Sequence, residues 1–348
     1  MERILIVRLG AMGDVLHGLP AAAALRRAHS SAHIGWAIEP RWAELLCAPG
    51  EARNAPRSPL KPLVDVVYEV DTRALRSASW WAWRQAGNTL RRIRAEKYEV
   101  ALDLQGSMKS GLLASLSGAR EIVGLARTRE GPATMFYDRA LETSAKHVVE
   151  QNLELAAAVA ENIAPAAAEL PQDRGADAWC ELELRKRGRF DYALLSPGVG
   201  WGAKRWPAER YGEVAKKLAT QGVVSFINAG PGEEKLAREV EAASDGAAAR
   251  IPCTLGLLIA LTRRAKLFIG GDSGPMHLAS ALGIPVVAIF GPTDPARNGP
   301  YGARSTVLRS DQSRTSFSHV AAQDPGLMTI TADQVVEAAR ELLRSGGG

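Results

Sequence analysis

"RILIVRLGAMGDVLHGLPAAAALRRA", residues 3–28, carries the reading of the fold. An apolar run with strand composition, 3–9, enters a turn containing Gly10 and Gly13, and an alanine-rich stretch then reads as a helix over 15–28. Strand, glycine turn and helix form the opening unit of a parallel α/β sheet. A turn of this kind usually offers backbone N–H groups to a phosphate, because the helix N-terminus carries partial positive charge. Asp14 stands at that point and would repel one. The glycines at 10, 13 and 18 do not make GxGxxG, and no lysine is near. Two readings of Asp14 follow. It is an N-cap, a common device worth ~1 kcal/mol, or it is a base that takes a proton from a neutral acceptor. A carboxylate is a weak base, which suffices when the proton leaves late, after the electrophile has become strongly cationic.

Beyond residue 28 the unit repeats. Strands are expected over 33–39, 64–70 and 99–105, with a weaker pair at "EIVGLA" (121–126) and "FYDRALE" (136–142). Helices are expected over 40–47, 77–96, 107–117 and 146–161. "NIAPAAAELPQDRGAD" (162–177) is poor in aromatic and β-branched residues and holds Pro165 and Pro171, which suits a linker. The alternation then restarts, with strands at 192–198, 223–230, 266–272 and 286–292. A last helix over 331–345 starts at a capping box of Thr331 and Gln334. The expected division is a first domain over 1–163, a linker over 164–178, a second domain over 179–330 and a terminal helix over 331–348 packing back on the first domain. At 348 residues, two cores are the default. Ligands of open parallel sheets bind outside the carboxyl ends of the strands, so two facing sheets imply a cleft.

Composition narrows the chemistry. The chain is 46% hydrophobic and 23% charged, an ordinary globular balance, and its net charge of +5 favours anionic small molecules or an anionic membrane surface over dedicated nucleic-acid binding. Cys47, Cys180 and Cys253 are widely spaced with no CxxC, which reads as reduced thiols in a cytoplasm. "MERILIVRLG" is too short an apolar run for a signal peptide, and no stretch approaches the ~18 apolar residues of a membrane span. Asp-x-Asp, HExxH and GxSxG are absent from the sequence, so metal chelation of a diphosphate, zinc hydrolysis and hydrolase-type acylation lack their usual residues.

Three loops of the second half have phosphate-site character. In "IGGDSGPMHLASALG" (269–283), a strand ends in two glycines, and Pro275 takes a first-turn position where its missing N–H costs nothing. The N–H groups of Ser273, Gly274 and Met276 are then candidates for a diphosphate, with His277 as a further donor beside Asp272. An ordinary capped turn is the even alternative. "SPGVGWGAKRWP" (196–207) sets Gly200, Lys204 and Arg205 beside a strand end, with Lys204 as a phosphate clamp or a solvated surface lysine. "NAGPGEE" (228–234) offers Glu233 or Glu234 to ribose hydroxyls. A fourth feature is basic and aromatic. Residues 71–97 hold seven Lys/Arg against two acids, with Trp80, Trp81 and Trp83 in four positions. Such a helix can rest on anionic lipid headgroups; its rival packs the tryptophans between domains.

"RLGAMGDVLHGLP", "ALDLQGSMKSGLLA", "PGVGWGAKRWP" and "GGDSGPMHLASALGIPVVAIFGPTDPARNGPYG" together resemble glycosyltransferase family 9, the ADP-heptose:lipopolysaccharide heptosyltransferases, in the family's order along nearly the whole chain. "YEVALDLQGSMKS" and "REGPATMFYDRAL" are more similar to heptosyltransferase I than to II. The resemblance implies a GT-B fold, two Rossmann-like domains facing across a cleft, with the acceptor in the first half and ADP-heptose in the second. It implies inversion at the anomeric carbon with no required cofactor or metal. By motif position Asp14 resembles the catalytic base, acting on the inner Kdo of Kdo-lipid A beside Gly13. Lys204 resembles the phosphate-contacting lysine, and Gly200, Asp272, Ser273, Gly274 and His277 belong to the loops that hold the donor. Glu233 or Glu234 falls near the ribose and Cys253 near the adenine, while Arg73, Arg76, Lys109 and Arg129 resemble cations that meet acceptor carboxylates and phosphates. The expected protein is a monomer, peripheral on the inner leaflet of a Gram-negative inner membrane. Where the family leads one to expect an arginine after "HVVE", this chain has Gln151 and Asn152, and before its lysine it has "GVGWGA". The alternatives left open are a heptosyltransferase II-like or other family 9 transferase, a non-catalytic binder of nucleotide sugar or lipopolysaccharide, and a sugar-nucleotide epimerase.

Overall fold

The structure, a computed structural model, describes residues 2–77, 79–128, 130–167, 169–188, 191–316 and 323–345. It divides into two compact units, Met1–Asp173 and Arg174–Gly348. The first contains β1 (Arg3–Val7), α1 (Met12–Ala28), β2 (His33–Ile38), β3 (Val66–Glu69), α2 (Trp80–Ala95), β4 (Val100–Asp103), α3 (Met108–Leu116), β5 (Glu121–Leu125), β6 (Arg139–Leu141) and α4 (Val148–Val159). Its sheet has the order β3-β2-β1-β4-β5-β6, and every pairing is parallel.

The second unit contains α5 (Arg174–Arg187), β7 (Tyr192–Ser196), α6 (Ala208–Ala219), β8 (Val224–Ile227), α7 (Glu234–Ala243), β9 (Ala248–Arg250), α8 (Leu255–Arg264), β10 (Leu267–Gly271), α9 (Gly274–Ala281), β11 (Val286–Phe290), α10 (Pro295–Asn298), β12 (Ser305–Arg309) and α11 (Ala332–Arg344). The order β12-β11-β10-β7-β8-β9, read from its other edge, repeats that of the first sheet, again all parallel. Each sheet therefore reverses direction once, between β1 and β4 and between β7 and β10, and such a switch point is where doubly wound sheets bind ligands.

The central strands are mainly apolar because helices cover both faces, with the polar residues Asp103 and Ser196 at the carboxyl ends of β4 and β7. Every residue of β4, β7, β10 and β11 is buried. Gly18 lets α1 lie close on β2, since a Cβ there would stand 3.1 Å from the Trp36 ring. In the second unit α6, α7 and α11 cover one face, with Trp206, Tyr211, Val214, Leu218 and Val335 in one core. The capping box predicted at Thr331 and Gln334 starts α11, whose neighbours are α6 and β10–β12 of its own unit.

Some boundaries differ from expectation. Helix α1 begins at Met12, three residues early, and 40–47 is a 3₁₀ turn over Pro40–Leu45. Helix α5 starts at Arg174, inside the stretch read as linker, because Ala176, Cys180 and Leu184 recur four apart and bury one stripe.

Candidate active site

In the first unit the sequence-selected residues collect at the carboxyl edge of the sheet. Asp14 follows β1 in the first turn of α1, beside Gly13. It is not the N-cap; Ala11 is, and Asp14 Oδ2 accepts the Ala11 N–H at 3.0 Å. Its Oδ1 lies 2.9 Å from Nη2 of Arg8, and Arg8 Nε donates to the Asp14 carbonyl at 3.1 Å. Arg8 is buried, whereas the Asp14 side chain keeps 32% of its surface open. The carboxylate is thus fixed from behind by a guanidinium and an amide while one side remains accessible. Lys109, exposed, sits in the first turn of α3 after β4, across the switch point from Asp14. Arg73 and Arg76, also exposed, follow β3, where Asp71 Oδ1 turns the chain by accepting the N–H groups of Arg73 and Ala74. Arg129 lies outside the described residues.

Beneath this edge Asp103, at the end of β4, is buried, accepting Tyr137 Oη at 2.7 Å, Ser110 Oγ at 2.8 Å and the N–H groups of Gln105 and Gly106. Burial pushes its pKa up, against the lowering by those four donors. The cluster pins the β4–α3 turn that carries Lys109. Gln151 and Asn152, where an arginine was expected, are buried and hold backbone: Gln151 Nε2 donates to the Ala145 carbonyl and Asn152 Nδ2 to that of His17.

The second unit builds a charged cluster at its own switch point. Lys204 ends a 3₁₀ turn, Gly202–Lys204, after β7, and Asp272 follows β10, which pairs with β7. Lys204 Nζ lies 2.5 Å from Asp272 Oδ2, and His277 Nε2 is 3.3 Å from Asp272 Oδ1. Burial would raise the Asp272 pKa, but the hydrogen bond and charge of His277, then those of Lys204, overcome it and hold the carboxyl far below its usual range. Lys204 Nζ also stands 4.7 Å from the centre of the Trp201 ring. Lys204 is therefore a clamped cation and not a solvated one.

Ser273 caps α9 with no side-chain bond to the helix, and its Oγ is buried without a hydrogen-bond partner among the described residues. The Met276 N–H, expected to face an anion, instead donates to the Ser273 carbonyl at 3.1 Å, so only the N–H groups of Ser273 and Gly274 remain candidates there. The two glutamates separate. Glu233 caps α7 and turns its carboxylate inward, accepting the Gly230 N–H at 2.8 Å and filling the space where a Cβ on Gly198 would stand. Glu234 is exposed and accepts the local Gly232 N–H. Gly200 lies exposed in the β7 loop. Cys253, after β9, donates its thiol to Asn228 Oδ1 at 3.4 Å, and burial pushes its pKa up to about 12, which keeps the thiol protonated.

Two residues escaped the sequence reading. Arg8 is a buried cation directly after β1, at the end of the apolar run Ile4–Val7, and that irregularity was the available signal. Thr293, after β11, buries its Oγ1 without a partner among the described residues, one strand away from Ser273; "GPTDP" marked the loop but not the hydroxyl. Among the described residues no three His, Cys, Asp or Glu side chains gather as metal ligands, and no helix is long and apolar enough to cross a membrane.

A family model described as "Glycosyltransferase family 9 (heptosyltransferase)" matches residues 87–324. Lipopolysaccharide heptosyltransferase 1 of Pseudomonas aeruginosa is 29% identical over 314 residues, covering 89% of this chain and 84% of that protein. Among solved structures, E. coli heptosyltransferase WaaC with ADP-2-deoxy-2-fluoro heptose is 26% identical, with a TM-score of 0.72 over 97% of this chain and 99% of that one. A glycosyl transferase family 9 protein from Veillonella parvula superimposes with a TM-score of 0.81 over 99% of this chain and 97% of that one; at 22% identity it supports the fold alone.

Proposed function

The chain belongs to glycosyltransferase family 9, most like heptosyltransferase I, with a GT-B fold, and we propose that it moves a heptose from ADP-L-glycero-β-D-manno-heptose to the inner Kdo of Kdo-lipid A in building the lipopolysaccharide inner core. The observation that carries this reading is the pair of switch-point sites: a fixed, partly open carboxylate after β1, and a clamped lysine beside an N-terminal helix turn after β10. The first has no use for a phosphate and suits a sugar hydroxyl. The second suits a diphosphate.

In the proposed reaction the acceptor hydroxyl attacks the heptose anomeric carbon as the bond from that carbon to the diphosphate oxygen breaks. ADP leaves with the electron pair, and the hydroxyl proton passes to Asp14. Arg8 and the Ala11 amide hold the Asp14 carboxylate in one orientation, which limits the reorganisation needed at the moment of transfer. Negative charge growing on the diphosphate is met by Lys204 and by the N-terminus of α9. Before donor binds, Asp272 occupies Lys204, so the incoming phosphates compete with a buried carboxylate for the same cation, and His277 keeps that carboxylate paired when they succeed. Glu233, turned toward the β7 loop, is the better placed of the two glutamates for the ribose. Attack from the face opposite the diphosphate inverts the centre, so ¹H NMR of product made from the β-anomeric donor is expected to report an α linkage, and a β linkage contradicts the scheme.

The protein supplies the cations itself in this reading. EDTA is expected to leave turnover and ADP affinity unchanged, and a strict magnesium requirement would overturn that part. Arg73 and Arg76 are proposed to meet acceptor anions at the β3 end. Replacing both by alanine is expected to raise the acceptor KM about tenfold or more, with kcat nearly kept, since an exposed ion pair that holds ground and transition state equally contributes to binding and not to the chemical step. Equal KM values for variant and wild type, measured on a short, lipid-free Kdo acceptor, would place both arginines outside the site. Because the proposed acceptor is a lipid, the enzyme would work as a peripheral protein at the inner leaflet.

A further inference from the structure

Helix α2 is built the wrong way round for a soluble domain. A surface helix turns its large apolar residues to the core, yet Ile93 is the one buried residue of α2, while Trp80, Trp81 and Trp83 are each nearly 60% exposed. On its inner side, Ala82, Gln85, Ala86 and Thr89 line a cavity of about 350 Å³ against the β3 edge, so the N-terminal half of the helix is held off the sheet. Trp80 and Trp81 stack at 3.8 Å between ring centres, with the Arg84 guanidinium 6.0 and 5.9 Å from them.

A second apolar element shares this side of the unit. Met108, Leu112 and Leu116 recur four apart along α3 and are all exposed, and Met135, on the Gly131–Phe136 turn packed against α3, is 72% exposed. Ile93 of α2 and Ala114 of α3 belong to one core cluster, which puts both helices on the same face of the sheet. Arg94 Nε joins their C-terminal ends by donating to the Leu116 carbonyl at 2.8 Å. Helix α2 carries Arg84, Arg91, Arg92 and Arg94 and no acid; the acids nearest the face are Glu96, which caps the far end of α2, and Glu130, which accepts the Met108 N–H at 2.8 Å.

We infer that the α2–α3 face is a docking surface for an anionic lipid bilayer, with the three tryptophans and the Met108–Leu112–Leu116 stripe in the headgroup layer and the α2 arginines against lipid phosphates. The inference deepens the lipid-acceptor reading above and supplies the surface that reading requires. Tryptophan with arginine is the pairing an interface rewards, since the ring is apolar with one polar edge and the cation meets fixed negative charge. A second copy of the chain fits this face less well. A two-fold contact through it would bring the same arginines together, and like charges across an interface are costly.

The test is flotation of the full chain, without substrates, with phosphatidylethanolamine vesicles containing phosphatidylglycerol and with neutral phosphatidylcholine vesicles. The wild type is expected to float with the anionic vesicles only, and to be released as salt is raised toward 1 M, where the Debye length falls to ~3 Å. Trp81→Ser/Trp83→Ser and, separately, Leu112→Ser/Leu116→Ser are expected to weaken partitioning about tenfold or more, the scale of one or two apolar side chains returned to water. Arg84→Glu/Arg91→Glu is expected to do the same on anionic vesicles. Circular dichroism confirms that each variant is folded, and turnover on a lipid-free Kdo acceptor is expected to stay within about twofold of wild type. Vesicle binding is read without catalysis, so failure of the transferase reading leaves the flotation result intact, and the reverse. Wild-type protein that does not float at any salt, or floats as well in all three variants, overturns the inference. So does a concentration-dependent dimer, seen by sedimentation, that the same variants dissolve while lipid binding is absent.

Discussion

Asp14→Asn is expected to cut turnover 10²- to 10⁴-fold, the usual loss of one general base, while the affinity for ADP stays within about twofold. The structure makes this substitution unusually clean. An asparagine oxygen can still accept the Ala11 N–H that Asp14 Oδ2 accepts at 3.0 Å, so the start of α1 is kept. Arg8 still donates to the residue-14 carbonyl through Nε at 3.1 Å. What the amide loses is the ability to take a proton. Because Arg8 is buried and loses a formal counter-charge, a modest fall in melting temperature should accompany the loss of turnover. Isothermal titration with ADP and a steady-state rate on the same preparation separate the two effects. Turnover near that of the wild type would reduce Asp14 to a device for starting a helix.

Lys204→Ala should act on the other half of the reaction. The lysine is expected to meet the diphosphate both in the bound donor and, more strongly, as negative charge grows on it. ADP affinity should therefore fall about 10- to 100-fold, the scale of a charge-assisted hydrogen bond, with a further loss in kcat. Lys204→Arg is the informative companion. It keeps the charge but cannot reproduce a lysine Nζ held 2.5 Å from Asp272 and 4.7 Å from the Trp201 ring centre, so it should restore binding better than turnover. Removal of Lys204 leaves Asp272 with His277 as its remaining side-chain partner in the cluster, and the variant's melting temperature should be followed for that reason. Unchanged ADP affinity and unchanged turnover in Lys204→Ala would show that its pairing with Asp272 is structural only.

The sheets were legible in the sequence because a parallel strand covered on both faces leaves an unbroken apolar run. β7, β10 and β11 are of that kind, and each stood within a residue or two of its expected place. The edge strands of the second sheet leave no such run. β9 is three residues, Ala248–Arg250, and β12 alternates exposed and half-buried positions, so neither stood out. Helix α8, "LGLLIALTRR", is an apolar run whose helical identity depends on the Thr254 cap, which accepts the Leu257 N–H. The turns that hold the site were legible too, as glycine-rich strand ends. Their pairings were not. Lys204 and Asp272 are 68 residues apart and meet because β7 lies beside β10, a register fixed by the whole sheet and by nothing local to either loop. The orientation of Glu233 over Glu234 likewise follows from where the β8 turn brings the α7 cap against Gly198. The tryptophans were visible as a cluster, but that all three are exposed follows from how α2 is seated on its unit, which the sequence of the helix alone does not specify.

The most direct measurement is ADP release from ADP-heptose by the purified chain, followed with and without Kdo-lipid A and paired with mass spectrometry of the lipid. The account predicts ADP release that depends on the acceptor and matches, mole for mole, the appearance of lipid heavier by one heptose. Donor consumed or isomerised without acceptor, or no ADP released in the presence of both, would contradict it.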